Sequence, residues 1–173
     1  GLTKNGGGTL SVFAANYSGA TTVSAGKLNI GLPSSGGGAV SVADGAGLGL
    51  TQNDPFSSMS STDVTLGSAG ATTLEFNFGG QPNPSSALLQ VSGAVTPNGT
   101  IAVNITGSAL SVGQIPLISY GTLGGAGFPA FTLGSLPSGV SATLTNTGSS
   151  IDLKVTAAGK DLVWSGASSG DWN

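Results

Sequence analysis

In the opening stretch, GLTKNGGGTL at residues 1–10, Leu2 and Leu10 stand on either side of a run of three glycines. Its pieces return at one offset of 30 residues. The repeated pairs are Gly1-Leu2 with Gly31-Leu32, Gly6-Gly7-Gly8 with Gly36-Gly37-Gly38, and Ser11-Val12 with Ser41-Val42. Internal repeats with periods of 20–50 residues are typical of solenoids. We therefore predict a repetitive structure with glycines at tight corners, where φ can be positive.

Short runs rich in Val, Ile and Thr continue along the chain, separated by Gly, Asn, Ser and Pro. No stretch keeps the apolar period of a helix, and the best helical candidates, single turns at 54–59 and 83–84, are interpreted as parts of loops. Strands are predicted near residues 9–13, 20–23, 27–30, 39–42, 48–51, 64–66, 72–78, 88–92, 100–106, 115–120, 130–133, 142–146, 151–156 and 162–164. Strands this short and closely spaced favour a parallel β-helix with coils of roughly 20–25 residues.

A different pattern appears near the C-terminus. Ala142–Asn146 and Ser150–Val155 alternate in polarity and flank the turn Thr147-Gly148-Ser149. This pattern predicts an antiparallel hairpin, which we expect to cap the β-helix. The chain is accordingly divided into coils at 1–110, C-terminal coils with the capping hairpin at 111–160, and a terminal strand or the start of a next unit at 161–173.

The composition excludes several function classes. Charged residues are only 6% of the chain, and it has no His, Cys or Arg. These absences exclude Ser-His-Asp or Cys-His catalysis and ordinary zinc or copper sites. Four scattered lysines provide no basic surface for nucleic acid. No segment approaches the roughly 20 apolar residues of a membrane-spanning helix. Because the sequence starts at Gly1, we expect a processed piece of something larger.

The opening residues resemble the autotransporter-associated β-strand repeat, also called the passenger-associated repeat, of large secreted bacterial surface proteins. The family pattern G-L-x-K-x-G-x-G-T-L matches residues 1–10, N-x-Y-x-G-x-T-x-V matches 16–23 in contracted form, and x-A-G-x-L matches 25–28. The resemblance implies a right-handed parallel β-helix that is secreted and displayed at the cell surface. The repeat motif has no catalytic residues.

The rest of the chain resembles what often follows this repeat in such proteins. The matching pieces are residues 88–93, 98–100, 115–120, 136–140 and 150–153. The closing stretch from Trp164 to Asn173 looks like the opening of a next unit. The resemblance therefore extends over nearly the whole chain.

The acidic residues raise two alternatives, a polysaccharide-cleaving enzyme and a calcium site. A polysaccharide lyase of the β-helix type typically uses a cationic catalytic residue with clustered acids. In this chain Lys4, Lys27, Lys154 and Lys160 are far apart in sequence. We therefore expect no enzyme. We also expect no cofactor, with calcium as an open alternative. Asp44, Asn53, Asp54 and Asp63 would supply oxygen ligands if one loop gathered them.

Three segments match the acceptor pattern for N-linked glycans, at Asn16, Asn98 and Asn104, and we interpret them as coincidental. Five of the six phenylalanines are predicted to form a core stack, and they are Phe13, Phe76, Phe78, Phe128 and Phe131. Tyr17, Tyr120, Trp164 and Trp172 are predicted to be more exposed. For the two tryptophans we expect packing at a junction between units, with sugar stacking as the alternative.

The sequence predicts a structural module of an extracellular bacterial surface protein or fibre. We expect it to contact copies of itself or adjacent repeats head to tail by strand pairing. The assembly-interface candidates are Leu2, Leu162, Val163, Trp164 and Trp172. A glycan-binding module of a surface adhesin is the alternative function, with surface glycans as its partners, and a polysaccharide-cleaving enzyme is a remote one.

Overall fold

The computed structural model describes residues 1–13 and 16–159, with the backbone alone at 35 and 36. The fold is all-β with a single 3₁₀ turn, Phe128–Ala130, in this part of the chain. The strands are β1 (Leu2–Lys4), β2 (Thr9–Phe13), β3 (Asn16–Tyr17), β4 (Thr21–Val23), β5 (Lys27–Gly31), β6 (Ser35–Gly36), β7 (Val40–Val42), β8 (Gly47–Thr51), β9 (Met59–Ser61), β10 (Val64–Leu66), β11 (Thr72–Asn77), β12 (Leu89–Val91), β13 (Ala94–Pro97), β14 (Ile101–Thr106), β15 (Gly113–Ser119), β16 (Thr122–Leu123), β17 (Phe131–Leu133), β18 (Val140–Asn146) and β19 (Ser150–Ala158).

Strands three apart in sequence pair in parallel. The first sheet has the order β1-β4-β7-β10-β13-β16, and the second sheet has the order β2-β5-β8-β11-β14-β17 read from the N-terminal end. The third sheet contains the β3–β6 pair, a bridge between Ser34 and Met59, and then β9-β12-β15-β19-β18. The chain thus contributes one strand to each of three sheets in turn, and each coil stacks on the coil before it. Such a topology is that of a parallel β-helix.

The strand register shows that the coils differ in length. Leu2 pairs with Thr21 and Thr21 with Val40, so the first two coils are equally long. Val40 pairs with Val64, and Val64 with Val95, so the third coil is longer than these two and the fourth is longer again. Of these four coils, only the third falls within the predicted range of roughly 20–25 residues. The first two are shorter than predicted, and the fourth is longer.

The 30-residue repeat found in the sequence is not the structural repeat. Ser11-Val12 lies in β2 of the second sheet, whereas Ser41-Val42 lies in β7 of the first sheet. Leu2 and Leu32 are likewise not register partners, because Leu2 pairs with Thr21. Strand pairing closes each coil, and short Gly-Leu and Ser-Val pieces recur by composition in a chain with 31 glycines.

The core is a stack of apolar side chains from the inner faces of the three sheets. In the second sheet one inward position is occupied by residues in register from coil to coil, and these are Leu10, Leu28, Leu48, Leu74, Val103 and Leu133. Leu28, Leu48, Leu74 and Val103 are fully buried. Burying a leucine stabilises a protein by about 1.5–3 kcal/mol, so these ladders supply a large part of the stability.

Loops of different lengths occupy the corner between the second and third sheets. They cover residues 52–58 in the third coil, 78–88 in the fourth and 107–112 in the fifth. Within the first loop the Phe56 N–H donates to Asp54 Oδ1 at 2.9 Å and forms a capped turn. Residues 83–84 are irregular. Neither helical candidate is a helix, and both belong to loops as interpreted from the sequence.

The antiparallel hairpin predicted near the C-terminus is formed by β18 and β19. Strand β19 pairs antiparallel with β15, and β18 pairs antiparallel with β19. Two reversals return β18 to the direction of the coil strands. Between Ser141 and Ala142 the register shifts and Thr156 of β19 is bulged, so β18 itself is continuous. The strand predicted at 162–164 lies outside the described residues.

Candidate functional site

A shallow groove lies on the outer face of the second sheet. Gly47 of β8 lies in its floor, since it faces outward between β5 and β11 without a side chain. Lys27 of β5 and Glu75 of β11 meet above this floor, with 2.7 Å between Nζ and Oε1. The groove has a volume of about 240 Å³ and extends toward the glycine-rich corner at Gly26 and Gly45.

The ion pair depends on the missing side chain at Gly49. A Cβ at that position would lie 2.1 Å from Asn29 Oδ1 and 3.1 Å from Lys27 Cε. Because β8 separates β5 from β11, the two charged side chains must cross a whole strand to meet. Sequence reasoning missed this pair, and the only signal was the alternation of glycine along GLGLT at 47–51.

A second groove, of about 370 Å³, lies on the outer face of the third sheet. Ser60, Gln90 and Ser119 occupy one outward row, because Gln90 is in register with both serines. Thr62 and Ser92 line the same groove. Hydroxyl and amide groups in one row provide donors and acceptors at strand spacing, about 4.8 Å apart.

The acidic residues considered as calcium ligands lie at three different corners of the coils. Asp44 is between the first and second sheets, Asp54 between the second and third, and Asp63 between the third and first. Asp63 Oδ1 accepts from the Ala94 N–H at 2.8 Å, and Asn53 Nδ2 donates to the Leu32 carbonyl. The structure therefore does not gather these four side chains in one loop, as this calcium site would require. Within the described ranges, no three acidic side chains are grouped to hold a metal ion.

Asp44 bonds to the next coil. Its carboxylate accepts hydrogen bonds from the Ser68 hydroxyl, from the Ser68 N–H at 2.8 Å and from the Gly70 N–H at 3.0 Å. The Ser68 hydroxyl, followed by the Ser68 N–H, lowers the pKa of Asp44 below its usual value of 3.8. The ionised carboxylate thus joins the third and fourth coils at this corner.

The lysines lie at separate places. Lys4 is 6% exposed, and its ammonium donates to the carbonyls of Gly6 at 2.7 Å and Ala25 at 3.1 Å. This side chain therefore joins the first corner to the second coil. Lys27 is paired with Glu75, Lys154 is exposed on β19, and Lys160 lies outside the described residues.

Two of the asparagines in glycosylation-like patterns also join adjacent coils. Asn98 Nδ2 donates to the Gly67 carbonyl at 3.1 Å, and Asn104 Oδ1 accepts from the Ser135 N–H at 2.9 Å. Asn16 lies in β3. Side-chain bonds of this kind satisfy backbone groups at corners, where no strand partner is present. The interpretation of the glycosylation patterns as coincidental stays a prediction.

The aromatic residues only partly follow the expectation. Phe76, Phe78 and Phe131 are buried, as predicted, and Phe128 packs partly exposed against the core. Phe13 is 70% exposed, so its assignment to the core was wrong. Its ring lies against Gly31, its register partner in the second coil, and covers backbone that has no side chain of its own.

The tyrosines are not an exposed platform. Tyr120 was predicted to be exposed but is buried, and its hydroxyl donates to Asn146 Oδ1. Tyr17 is half-buried and shares a hydrogen bond with the Thr21 hydroxyl. The most exposed large apolar side chain in the described part of the chain is instead Phe56, at 81%, in the loop 52–58.

Of the assembly-interface candidates, only Leu2 lies in the described part of the chain. It is half-buried in β1, the first strand of the first sheet, and packs against the core. Leu162, Val163, Trp164 and Trp172 lie outside the described residues.

Comparison with known protein families gives a match that begins in the first coil. Residues 2–30, which contain β1 to β4 and most of β5, match the model of a family described as passenger-associated-transport-repeat. This segment matches the passenger-associated repeat. The resemblance stated from residues 1–28 is thereby confirmed, and the repeat corresponds to the first coil and the beginning of the second.

The passenger-associated family supplies a structural repeat of secreted or surface proteins, and the match ends at residue 30. No curated protein and no solved structure matches the chain. Among the described residues, no helix is long and apolar enough to cross a membrane.

Proposed function

We propose that this chain is a stiff structural segment of an extracellular bacterial surface protein or fibre. The passenger-associated repeat supports secretion and surface display, and the right-handed winding implied by the resemblance is part of the proposal. Six coils at about 4.8 Å each give a rod segment of about 30 Å. Hydrogen-bonded ladders run along all three sheets of this segment, so it resists bending.

The open first coil is the observation that supports contact with a further coil. Leu10 is 37% exposed, whereas Leu28 and Leu48, its partners in the same ladder, are fully buried. Val12 and Leu2 are also only partly buried. The apolar stack of the first coil therefore has one uncovered side within the described residues. We propose that a copy of this chain, or an adjacent repeat of the same chain, stacks there head to tail.

The hairpin supports a different role at the other end. Strand β19 covers the edge of β15 with a reversed strand, and the half-buried Val140, Ala142 and Leu144 of β18 pack against the core. We propose that the hairpin caps the β-helix on its third sheet, as a polar-faced terminal unit does in repeat proteins.

Electron microscopy of the purified protein over a concentration series tests this proposal. We expect rods whose length grows with concentration. The Leu10→Lys substitution should abolish that growth, since it places an ammonium on the open apolar stack. Val112→Lys is the matched control, because Val112 is 65% exposed but lies in a corner loop, away from the open stack of the first coil. Rounded particles without an elongated axis would contradict the proposal.

A glycan-binding module is the second candidate function, supported by the row of Ser60, Gln90 and Ser119 on the third sheet. Glycan arrays with Gln90→Ala would test it, since that side chain is central in the groove. Asn29→Ala, on the outer face of the second sheet, is the control. Binding by the unchanged chain that only Gln90→Ala removes would support this function, and no binding by the unchanged chain would reject it.

A further inference from the structure

The free edge of β18 is the longest unpaired strand edge that the described residues present at either end of the coils. Strand β18 spans Val140–Asn146, and β19 is its only strand partner in the described part of the chain. The strands of the first coil are much shorter, since β1 has three residues, β2 five and β3 two. An edge strand exposes alternate N–H and C=O groups that bind another strand.

Strand β18 lacks the features that protect edge strands. Its sequence VSATLTN contains no charged residue, no proline and no glycine. The bulge in the hairpin lies on β19 at Thr156, so the free side of β18 is straight. Charge, proline and bulges are the usual means by which proteins block edge-to-edge pairing. The free edge is therefore open to a strand.

The side chains of β18 are complementary to themselves in an antiparallel arrangement. With a two-fold axis at Thr143, Ala142 lies opposite Leu144, and Ser141 opposite Thr145. Apolar residues then meet on the core side and hydroxyl residues on the outer side, with no opposed charges. Val140 and Asn146 meet at the two ends. Asn146 Oδ1 is already held by the Tyr120 hydroxyl and the Gly148 N–H.

The first coil of a second copy, stacked head to tail, would pair with only a small part of this edge. The first-coil strand on the third sheet is β3, Asn16–Tyr17, which offers two residues to the seven of β18. A second β18 offers seven.

We infer that β18 is a self-pairing edge through which two copies of this chain join tail to tail, in an antiparallel sheet continuous across the two-fold axis. This inference rests on the proposed structural role and names the partner of one end. In such a dimer the first coil of each copy stays uncovered at Leu10.

Sedimentation and light scattering of the full chain test the inference. We expect a dimer, and Thr143→Lys should raise its dissociation constant at least about tenfold, since two ammonium groups would meet at the axis. Thr143→Glu should do the same, and an equimolar mixture of the two variants should restore dimers. Thr132→Lys, on the exposed face of β17, is the matched control and should leave the dimer intact.

A cysteine variant reports the contact directly, because the chain has no other cysteine. Thr143→Cys should form a disulfide-linked dimer under mild oxidation, and Thr132→Cys should not. Filaments that Leu10→Lys abolishes and Thr143→Lys leaves intact would overturn the two-fold pairing and keep the proposed function. A monomer in which the β18 amides resist hydrogen exchange would assign the edge to another segment of the same chain, and would also overturn the inference.

Discussion

The first two coils stack by the same strand pairing as the three that follow them, but they contain fewer residues. The first two are short and turn through glycine-rich corners, whereas the later coils are longer and carry loops at one corner. The apolar ladder of the second sheet nevertheless passes through both regions without a change of register. The difference shows that strand pairing and core packing are common to all coils, and that corner length is free to vary. The family match covers the short region only.

The largest expected effect tests whether the ladder has equal strength in both regions. Leu28→Ala in a short coil and Leu74→Ala in a long coil each truncate a fully buried leucine side chain. Each should cost about 2–5 kcal/mol of unfolding free energy, since both leave a cavity in a packed core. Urea denaturation followed by circular dichroism measures both. A cost for Leu28→Ala below a third of that for Leu74→Ala would show that the short coils unfold separately.

A smaller effect is expected at the tight corners. Gly26 has a φ of +66°, and a Cβ there would lie 2.3 Å from the Gly8 carbonyl oxygen. Gly26→Ala should cost about 3 kcal/mol, from the left-handed backbone together with the steric clash. Gly45→Ala is the matched control, since Gly45 has a φ of +75° with open space around it. That change should cost about 1 kcal/mol. Equal losses of thermal stability would mean that close packing of the short coils contributes nothing.

The third prediction concerns a polar residue inside a longer coil. Gln52 is 2% exposed, and neither its amide nitrogen nor its amide oxygen has a hydrogen-bond partner. Gln52→Leu should therefore raise the unfolding free energy by about 1–2 kcal/mol, because an unpaired buried amide is costly. Gln90→Leu, on the outer row of the third sheet, should change it by less than about 0.5 kcal/mol. A loss of stability in Gln52→Leu would indicate a bound water or another partner for this amide.

The smallest effect is expected in acid at the corner between the third and fourth coils. The pKa of Asp44 is lowered in the folded state, so its contribution to stability is present above pH 3.8 and is lost as the pH falls through the lower folded pKa. Ser68→Ala removes the largest cause and should raise the pKa of Asp44 toward 3.8. An NMR titration of the Asp44 carboxyl measures this shift, with Ser108→Ala as the control. A pKa that does not move would assign the effect to backbone groups.

Much of the fold is predictable from local sequence. The bounds of β2 and β10 were predicted correctly, because β-branched and leucine residues stand between glycine and polar punctuation there. Strands β1, β9 and β16 are among those that were missed. Met59-Ser60-Ser61 has no β-branched residue, and it is a strand because β12 pairs with it.

The candidate site was less predictable, for a physical reason. The Lys27–Glu75 pair requires the register of β5, β8 and β11 together, and no local pattern contains that information. Phe13 was placed in the core on hydrophobicity alone, whereas its position in the first coil leaves the ring exposed against Gly31. Asp44 and Asp63 would be calcium ligands only if one loop gathered them with Asn53 and Asp54, and they instead accept hydrogen bonds from backbone N–H groups of later coils.

The loops between the second and third sheets have an evolutionary consequence. Residues 79–87 bond to the neighbouring corner loops, as Gln81 does to the Asn53 carbonyl and Asn83 to the backbone of Ser111, and only Pro84 and Ala87 of this segment are buried. Chain can therefore be inserted or exchanged at its exposed positions without repacking the ladder beneath. A lineage can diversify what it displays to the outside world at this corner while the scaffold is inherited unchanged, and an engineer can graft a foreign peptide there for the same reason.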